Sequence, residues 1–431
     1  MNAKSERPIV TELRLSAFKS HRGASFALGP LTVLAGPSGT GKSSVLEALA
    51  VLGRLAGGDE LGEVLAAEAG VVRGGVDACV PHGAQPDAEG RRGFRIGCTA
   101  DGPVGPVRLD VAVQTEPELR IVGERLTGAG ETLLTTALRD PGRRTVQAAW
   151  HTAGAVPVTR APLPDDRLAT ALLPLRVAGT TEGQRLVLAG AEQMVVALRG
   201  VFAVEPLPHR MRQPVAVKDG MLRKACDNLS AVLHRTEGEC RTRHAALVRA
   251  MRAVCSGPVE GLTTVPSGPE GSGVLAAVDR GPLGLVPVDR LGDGELRFLA
   301  LGLVLLTGPD VLEVDTSGEL LPAFQALTVL ADGLDLGLDR AQTRELLGLA
   351  GQAAERGHIR LLGTAHDPAV AEGLGGVSVV EFGRPARVPA QPGQVAQPGQ
   401  VAQAGQVAQP AQPAQAAQGA QGEARAVAAM R

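Results

Sequence analysis

The sequence predicts an α/β fold, on three observations. An apolar, β-forming run at residues 31–35 passes through a glycine-rich turn into residues 42–52, where Val45, Leu46, Ala48, Leu49 and Leu52 recur at helical spacing. The turn, Gly36-Pro37-Ser38-Gly39-Thr40-Gly41-Lys42-Ser43, fits G-x-x-x-x-G-K-[ST] in the strand-loop-helix context that the pattern requires. Late in the chain, an apolar helical stretch at 291–306 is followed by apolar runs at 312–315 and 359–363, each ending in polar residues.

The residue types of the turn explain its chemistry. Glycines let consecutive backbone N–H groups turn inward on a phosphate, and the start of the following helix, with Ser44, adds the positive end of its dipole. Lys42 would reach the β- and γ-phosphates, and Ser43 would place its hydroxyl on Mg2+, so ATP and Mg2+ are the ligands expected. The chain has five lysines against 38 arginines. A chance match to the pattern in such a composition comes out at roughly one in a hundred.

A length of 431 residues with 44% hydrophobic content leaves room for two or three domains' worth of core. With 43 basic and 45 acidic residues there is no global positive field, so any nucleic-acid contact must come from a local patch. Cys79, Cys98, Cys226, Cys240 and Cys255 lack C-x-x-C spacing, which argues against a zinc site or a disulfide framework. No signal-like or membrane-spanning stretch is read, and a cytoplasmic protein is expected.

In chain order, residues 8–15 and 24–28 alternate like half-buried antiparallel strands. Phe18, between them, either packs in the core or faces an adenine ring. A short helix is expected at 60–67, and strands at 94–98, 107–113, 119–122 and 145–150. A helix at 183–199 leads into a strand at 201–204. Residues 205–252 carry ten Lys/Arg against five acids, which serves either as a phosphate contact or as solvated helix faces. Helical residues 221–254 are expected to break near Gly238, and no heptad seam supports a long coiled coil. Strands near 261–265, 273–278 and 283–288 follow. Beyond Phe382 the composition turns to Ala, Gln, Pro and Gly, with AQPGQV repeated, and disorder is expected from about residue 386.

Three further stretches narrow the P-loop reading. Leu291-Gly292-Asp293-Gly294-Glu295 opens a helix with the glycines of a phosphate-gripping N-terminus. Asp315 ends the run 312–315 in a carboxylate suited to Mg2+, and His366 follows the run 359–363 where it could sense or polarise a γ-phosphate. With these residues the chain resembles the ABC-type ATPase heads of the RecF/SMC/OLD class, in particular short bacterial "AAA family" ATP-binding proteins without long coiled coils. The likeness covers residues 8–55 and 285–370.

The resemblance implies an α/β P-loop NTPase, an ABC-ATPase-like head with a mixed sheet flanked by helices, built from residues 1–57 and 271–384. An inserted β-rich and helical lobe would occupy 58–270, and a disordered tail 385–431. It implies that Gly36 to Ser43 is the Walker A motif, LGDGELR from Leu291 the signature motif, Asp315 the Walker B aspartate with Ser43 on the metal, and His366 the switch histidine. Arg212 with Asn228 and Leu229 is similar to a stretch between the halves of such heads. It also implies a homodimer formed on ATP, with the signature of one subunit completing the Lys42 site of the other far from its own P-loop. The client implied is DNA, as in repair or phage defence; the alternative is a barely hydrolysing nucleotide sensor that regulates a protein partner. Three departures stand out. Gly292 replaces the usual signature serine. Thr316 stands where a catalytic glutamate is expected, leaving Glu313 or Glu319 as substitutes, so tight binding with slow turnover is expected. The glutamine usual after the first lobe has only Gln85 and Gln114 as candidates.

Overall fold

The pentapeptide Leu-Thr-Val-Leu-Ala occurs twice, at 31–35 and at 327–331, and in both places it is a strand buried along its whole length. Such runs belong to parallel strands covered on both faces, not to half-exposed ones. The computed structural model describes residues 7–153, 157–217, 220–268, 272–308, 311–314 and 325–383, so the tail expected beyond residue 386 lies outside the described residues.

The chain opens with β1 (Ile9–Phe18), β2 (His21–Ala27) and β3 (Leu31–Ala35), then α1 (Lys42–Gly57), α2 (Leu61–Leu65) and α3 (Gly75–Cys79). A meander follows: β4 (Arg92–Asp101), β5 (Val107–Glu116), β6 (Arg120–Gly128), β7 (Glu131–Ala137), β8 (Thr145–His151) and β9 (Val158–Pro164). Next come α4 (Ala169–Leu172), α5 (Glu182–Arg199), β10 (Val201–Val204), α6 (Pro208–Met211), α7 (Leu229–Glu239) and α8 (Arg241–Val254). The chain continues through β11 (Gly261–Ser267), β12 (Gly273–Asp279), β13 (Leu285–Pro287) and α9 (Asp293–Leu306). It then runs through β14 (Leu327–Ala331), α10 (Arg340–Glu355), β15 (Ile359–Ala365) and β16 (Ser378–Glu381).

The central sheet is parallel throughout, in the order β10-β14-β15-β3-β16, so β3 lies between two strands from the far end of the chain. Its two faces feed two cores, because side chains alternate along a strand. Leu34, Leu330 and Leu362 join the core shared with α1, α5 and the antiparallel sheet. Leu31, Val33, Leu327, Val329 and Leu361 join the core shared with α7 to α10. The antiparallel sheet runs β2-β1-β4-β5-β6-β7-β8-β9, so strands on either side of residue 57 pair directly. A third sheet is β11-β12-β13.

Two expectations change and one open choice is settled. The break in the helical region 221–254 falls at Cys240, between α7 and α8, while Gly238 stays within α7. Phe18 is completely buried, its ring edge-on to Phe94 at 5.5 Å, so it is a core residue and cannot face an adenine. The run 312–315 does not extend as a strand over its described part: Leu312 makes one isolated bridge to Leu222, and Glu313 and Val314 lie outside any strand. Among the described residues no helix is long and apolar enough to cross a membrane.

Glu124 is buried under α4, where its carboxylate accepts the N–H groups of Ala169 and Thr170, both at 2.7 Å, and the Thr170 hydroxyl. Burial outweighs these donors and pushes its pKa up to about 7. A folded-state pKa above the unfolded one means the folded chain holds the extra proton between pH 4.5 and 7, so this residue's contribution to stability falls as pH rises through that window. Glu124→Gln should therefore flatten the fall in melting temperature between about pH 5 and 7, within the carboxylate range. An unchanged pH profile in the variant would contradict this.

Candidate functional site

The loop between β3 and α1 folds around the Lys42 side chain. Gly36 (φ 143°) and Gly41 (φ 93°) take backbone angles that residues with a Cβ rarely adopt. A Cβ at Gly36 would lie 2.3 Å from the Phe382 carbonyl oxygen, and one at Gly41 2.6 Å from Ser20 Oγ. The first crowding follows from the sheet: Phe382 N–H donates to Ala35 O at 2.7 Å, so the chain leaving β16 crosses the loop's entry. Lys42 is 7% exposed, and its Nζ donates to Gly36 O (2.6 Å) and Pro37 O (2.8 Å). Thr40 Oγ1 donates to Pro37 O at 2.9 Å, Ser44 N–H donates to Gly41 O at 3.1 Å, and His21 Nε2 meets Gly41 O at 2.9 Å.

The carboxylate beside Ser43 is Asp332. It follows directly on β14, the neighbour of β15 in the sheet, and Ser43 Oγ donates to its Oδ1 at 3.0 Å. Thr364 Oγ1 donates to the same oxygen at 2.6 Å, and Arg73 Nη2 donates to Oδ2 at 2.7 Å. Burial alone would push the Asp332 carboxyl up; Thr364, Arg73 and Ser43 outweigh it and hold it below the ordinary carboxylate range. Asp315, Thr316 and Glu319, the residues read from the sequence for this role, lie outside the described residues; among the described residues the strand-end carboxylate at the P-loop is Asp332. The residue after it is Gly333.

His366 follows β15, and its Nε2 lies 3.0 Å from Ser38 Oγ on the P-loop. The N–H of His366 donates to Asp335 Oδ2 at 2.7 Å. The P-loop residues Ser38 to Ser44, with Lys19, Arg73, Asp332, Thr364 and His366, line one open cleft of about 580 Å³. That is within the usual range of ligand pockets.

Leu291 is buried and Gly292 caps α9, as a helix N-terminus expected there requires. Arg212 donates to Leu291 O (2.7 Å) and to Asp293 Oδ1 (2.6 Å), and Glu295 pairs with Arg280 at 2.6 Å. A Cβ at Gly294 would lie 2.3 Å from Gly337 O, so α9 packs closely on the loop that follows Asp332. One turn further on, Arg297 lines the same cleft as Lys42, so this helix borders its own P-loop cleft. Gln114 donates to Glu118 O at 3.0 Å, and neither it nor Gln85 lines the cleft.

Asp332 and Arg73 in the cleft, and Asp335 behind His366, are among the residues not anticipated from the sequence. Asp332 had a signal: it closes the second copy of the pentapeptide that also precedes the P-loop. Arg73 sits between α2 and α3 in a stretch of no clear periodicity, where it also approaches Glu205 at 3.7 Å and Glu47 at 3.9 Å. Asp335 belongs to a turn.

A family model described as "AAA domain" matches residues 12–52, which hold most of β1, β2, β3, the P-loop and most of α1. A search of curated protein sequences gave no match. Among solved structures, an SMC head bound to the C-winged helix domain of ScpA is 14% identical, with a TM-score of 0.41 over 84% of this chain and 90% of its own. The SMC head domain from Thermotoga maritima is 13% identical (TM-score 0.38, 84% and 91%). An Smc head domain with an extended coiled coil, bound to the C-terminal domain of ScpA derived from Pyrococcus furiosus, is 10% identical (TM-score 0.39, 84% and 91%). The P-loop, the parallel sheet and the AAA-domain match define the class: a P-loop NTPase fold.

Lys42→Ala removes the P-loop's positive side chain and should abolish ATP binding or weaken it severely by isothermal titration. Wild-type affinity in the variant would refute the site.

Proposed function

We propose that the chain is an ATP-binding ATPase that dimerises on ATP and hydrolyses it slowly. The observation that carries this reading is the Ser43 Oγ to Asp332 Oδ1 bond of 3.0 Å beside Lys42. A hydroxyl and a carboxylate are the oxygen donors that Mg2+ accepts when nucleotide phosphates and water complete its shell. When bound, Mg2+ would neutralise charge on the β- and γ-phosphates. Lys42 would leave the Gly36 and Pro37 carbonyls for the phosphates, and Arg73 supplies a second cation at the cleft's edge. Thr364 holds Asp332 from the other side.

Slow turnover is supported by Gly333, which brings no carboxylate to the position after the metal aspartate. Without a carboxylate at that position the attacking water lacks the base usual there, which slows the chemical step. For the dimer, the α9 N-terminus presents Gly292, and a Cβ there would meet nothing within 4 Å, so that corner is open to a second subunit's nucleotide. Gly294 is not a clean probe, because any side chain there strikes Gly337 within its own subunit. With Mg-ATP the protein should sediment as a dimer, and Gly292→Arg should keep it monomeric while ATP still binds. A wild-type protein with verified bound ATP that stays monomeric at micromolar concentration would sink the dimer.

DNA is the client we favour, by way of α8, where Arg241 and Arg249 are exposed. Other basic residues of 205–252 are engaged internally: Arg223 with Asp227, Lys224 with Gly70 O, and Arg252 with Val259 O. That engagement favours the second reading, a nucleotide sensor acting on a protein partner. A gel shift decides: the DNA reading predicts binding that falls steeply with salt and weakens in Arg241→Ala/Arg249→Ala. No binding at low salt leaves the protein-partner reading.

A further inference from the structure

Gly333 has φ 69°, and a Cβ there would lie 3.1 Å from Leu336 Cβ, so the backbone itself disfavours a glutamate at that position. A carboxylate nevertheless stands on the same loop. Asp335 is only 13% exposed, and its Oδ2 accepts the N–H groups of His366 (2.7 Å) and Asp367 (3.3 Å). Its Oδ1 lies 3.4 Å from His366 Nδ1. In the tautomer that turns the Nδ1 proton to Asp335, the His366 Nε2 lone pair would accept from the Ser38 hydroxyl, which lies 3.0 Å away. The imidazole is more than half exposed and lies on the wall of the cleft that Lys42 and Ser43 also line.

We propose that Asp335 and His366 together replace the missing glutamate, with His366 Nε2 as the general base for the attacking water and Asp335 as the positioning residue. This rests on the nucleotide reading above. Ser38 is exposed, and its hydroxyl can turn away to let water take its place at Nε2. The water oxygen then bonds to the γ-phosphorus while the bond from phosphorus to the β,γ-bridging oxygen breaks, its electron pair leaving with ADP. The water's proton passes to Nε2, and the imidazolium, stabilised by the Asp335 carboxylate, returns it to the phosphate product. Asp335 pairs with the ring, and Lys42, Arg73 and Arg297 line the same cleft.

The test is single-turnover hydrolysis with enzyme in excess, measured beside ATP affinity for the full chain. Asp335→Asn and His366→Ala should each slow the chemical step by roughly 10²-fold or more, the scale of a lost general base, with the ATP dissociation constant little changed. The double variant should be no slower than either single one, because residues that act as a unit are non-additive. His366 is exposed enough that its loss should not unfold the chain, so it tests the idea even if Asp335→Asn proves unstable. Wild-type rates in His366→Ala, or multiplied losses in the double variant, would overturn the proposal. So would a wild-type protein that binds ATP but never cleaves it, and that result leaves the binding reading standing. A wild-type protein that binds no ATP overturns that reading and the dyad with it.

Discussion

The two oxygens of Asp332 draw together side chains from widely separated parts of the chain. Ser43, 289 residues away, and Thr364 share Oδ1, while Arg73 takes Oδ2. Hydrogen bonds to a charged group are worth about 1.5–3 kcal/mol each, so these contacts strongly favour the arrangement that brings the P-loop against the end of β14. The sheet order makes them possible. With β15 between β3 and β14, the loops at the ends of these parallel strands converge on one edge, the usual place for a ligand in an open α/β sheet.

Charge at this edge is arranged in alternation. Lys19 pairs with Glu47, whose carboxylate also faces Arg73; Arg73 reaches Asp332 and Glu205; and Lys224 stands 4.0 Å from Glu205. Under the proposed reading, a triphosphate entering the cleft would compete with these carboxylates for the same cations, and Mg2+ would compete with Arg73 for Asp332. Ligand entry is therefore an exchange of partners, and the neighbours of Arg73, which include Glu205 before α6, are positioned to feel it. Only interactions that differ between the two states can shift the balance between them.

The P-loop was legible in sequence because its backbone demands are severe: glycines at fixed offsets, one lysine and one hydroxyl between a strand and a helix. The strands 201–204 and 359–363 and the helix 183–199 were legible from periodicity alone. Asp332 was passed over because two short β-forming runs, Leu312 to Asp315 and Leu327 to Asp332, both end in an aspartate. Pairing with β15 brings the end of β14 to the P-loop, and pairing is a property of the sheet that no local pattern contains. The two readings of Phe18 stayed open for a similar reason: its burial depends on Phe94, on a strand beyond the P-loop helix. Arg73 had no local signal, since its role comes from where α2 and α3 set it down.

The central claim is that Ser43 and Asp332 together make one Mg-nucleotide site, and the Mg2+ dependence of ATP affinity tests it most directly. Titration of ATP with and without Mg2+ should show tighter binding with the metal for the wild type. Asp332→Ala should lose that difference, and Asp315→Ala should retain it. Loss of the Mg2+ effect in Asp315→Ala together with its survival in Asp332→Ala would contradict the account.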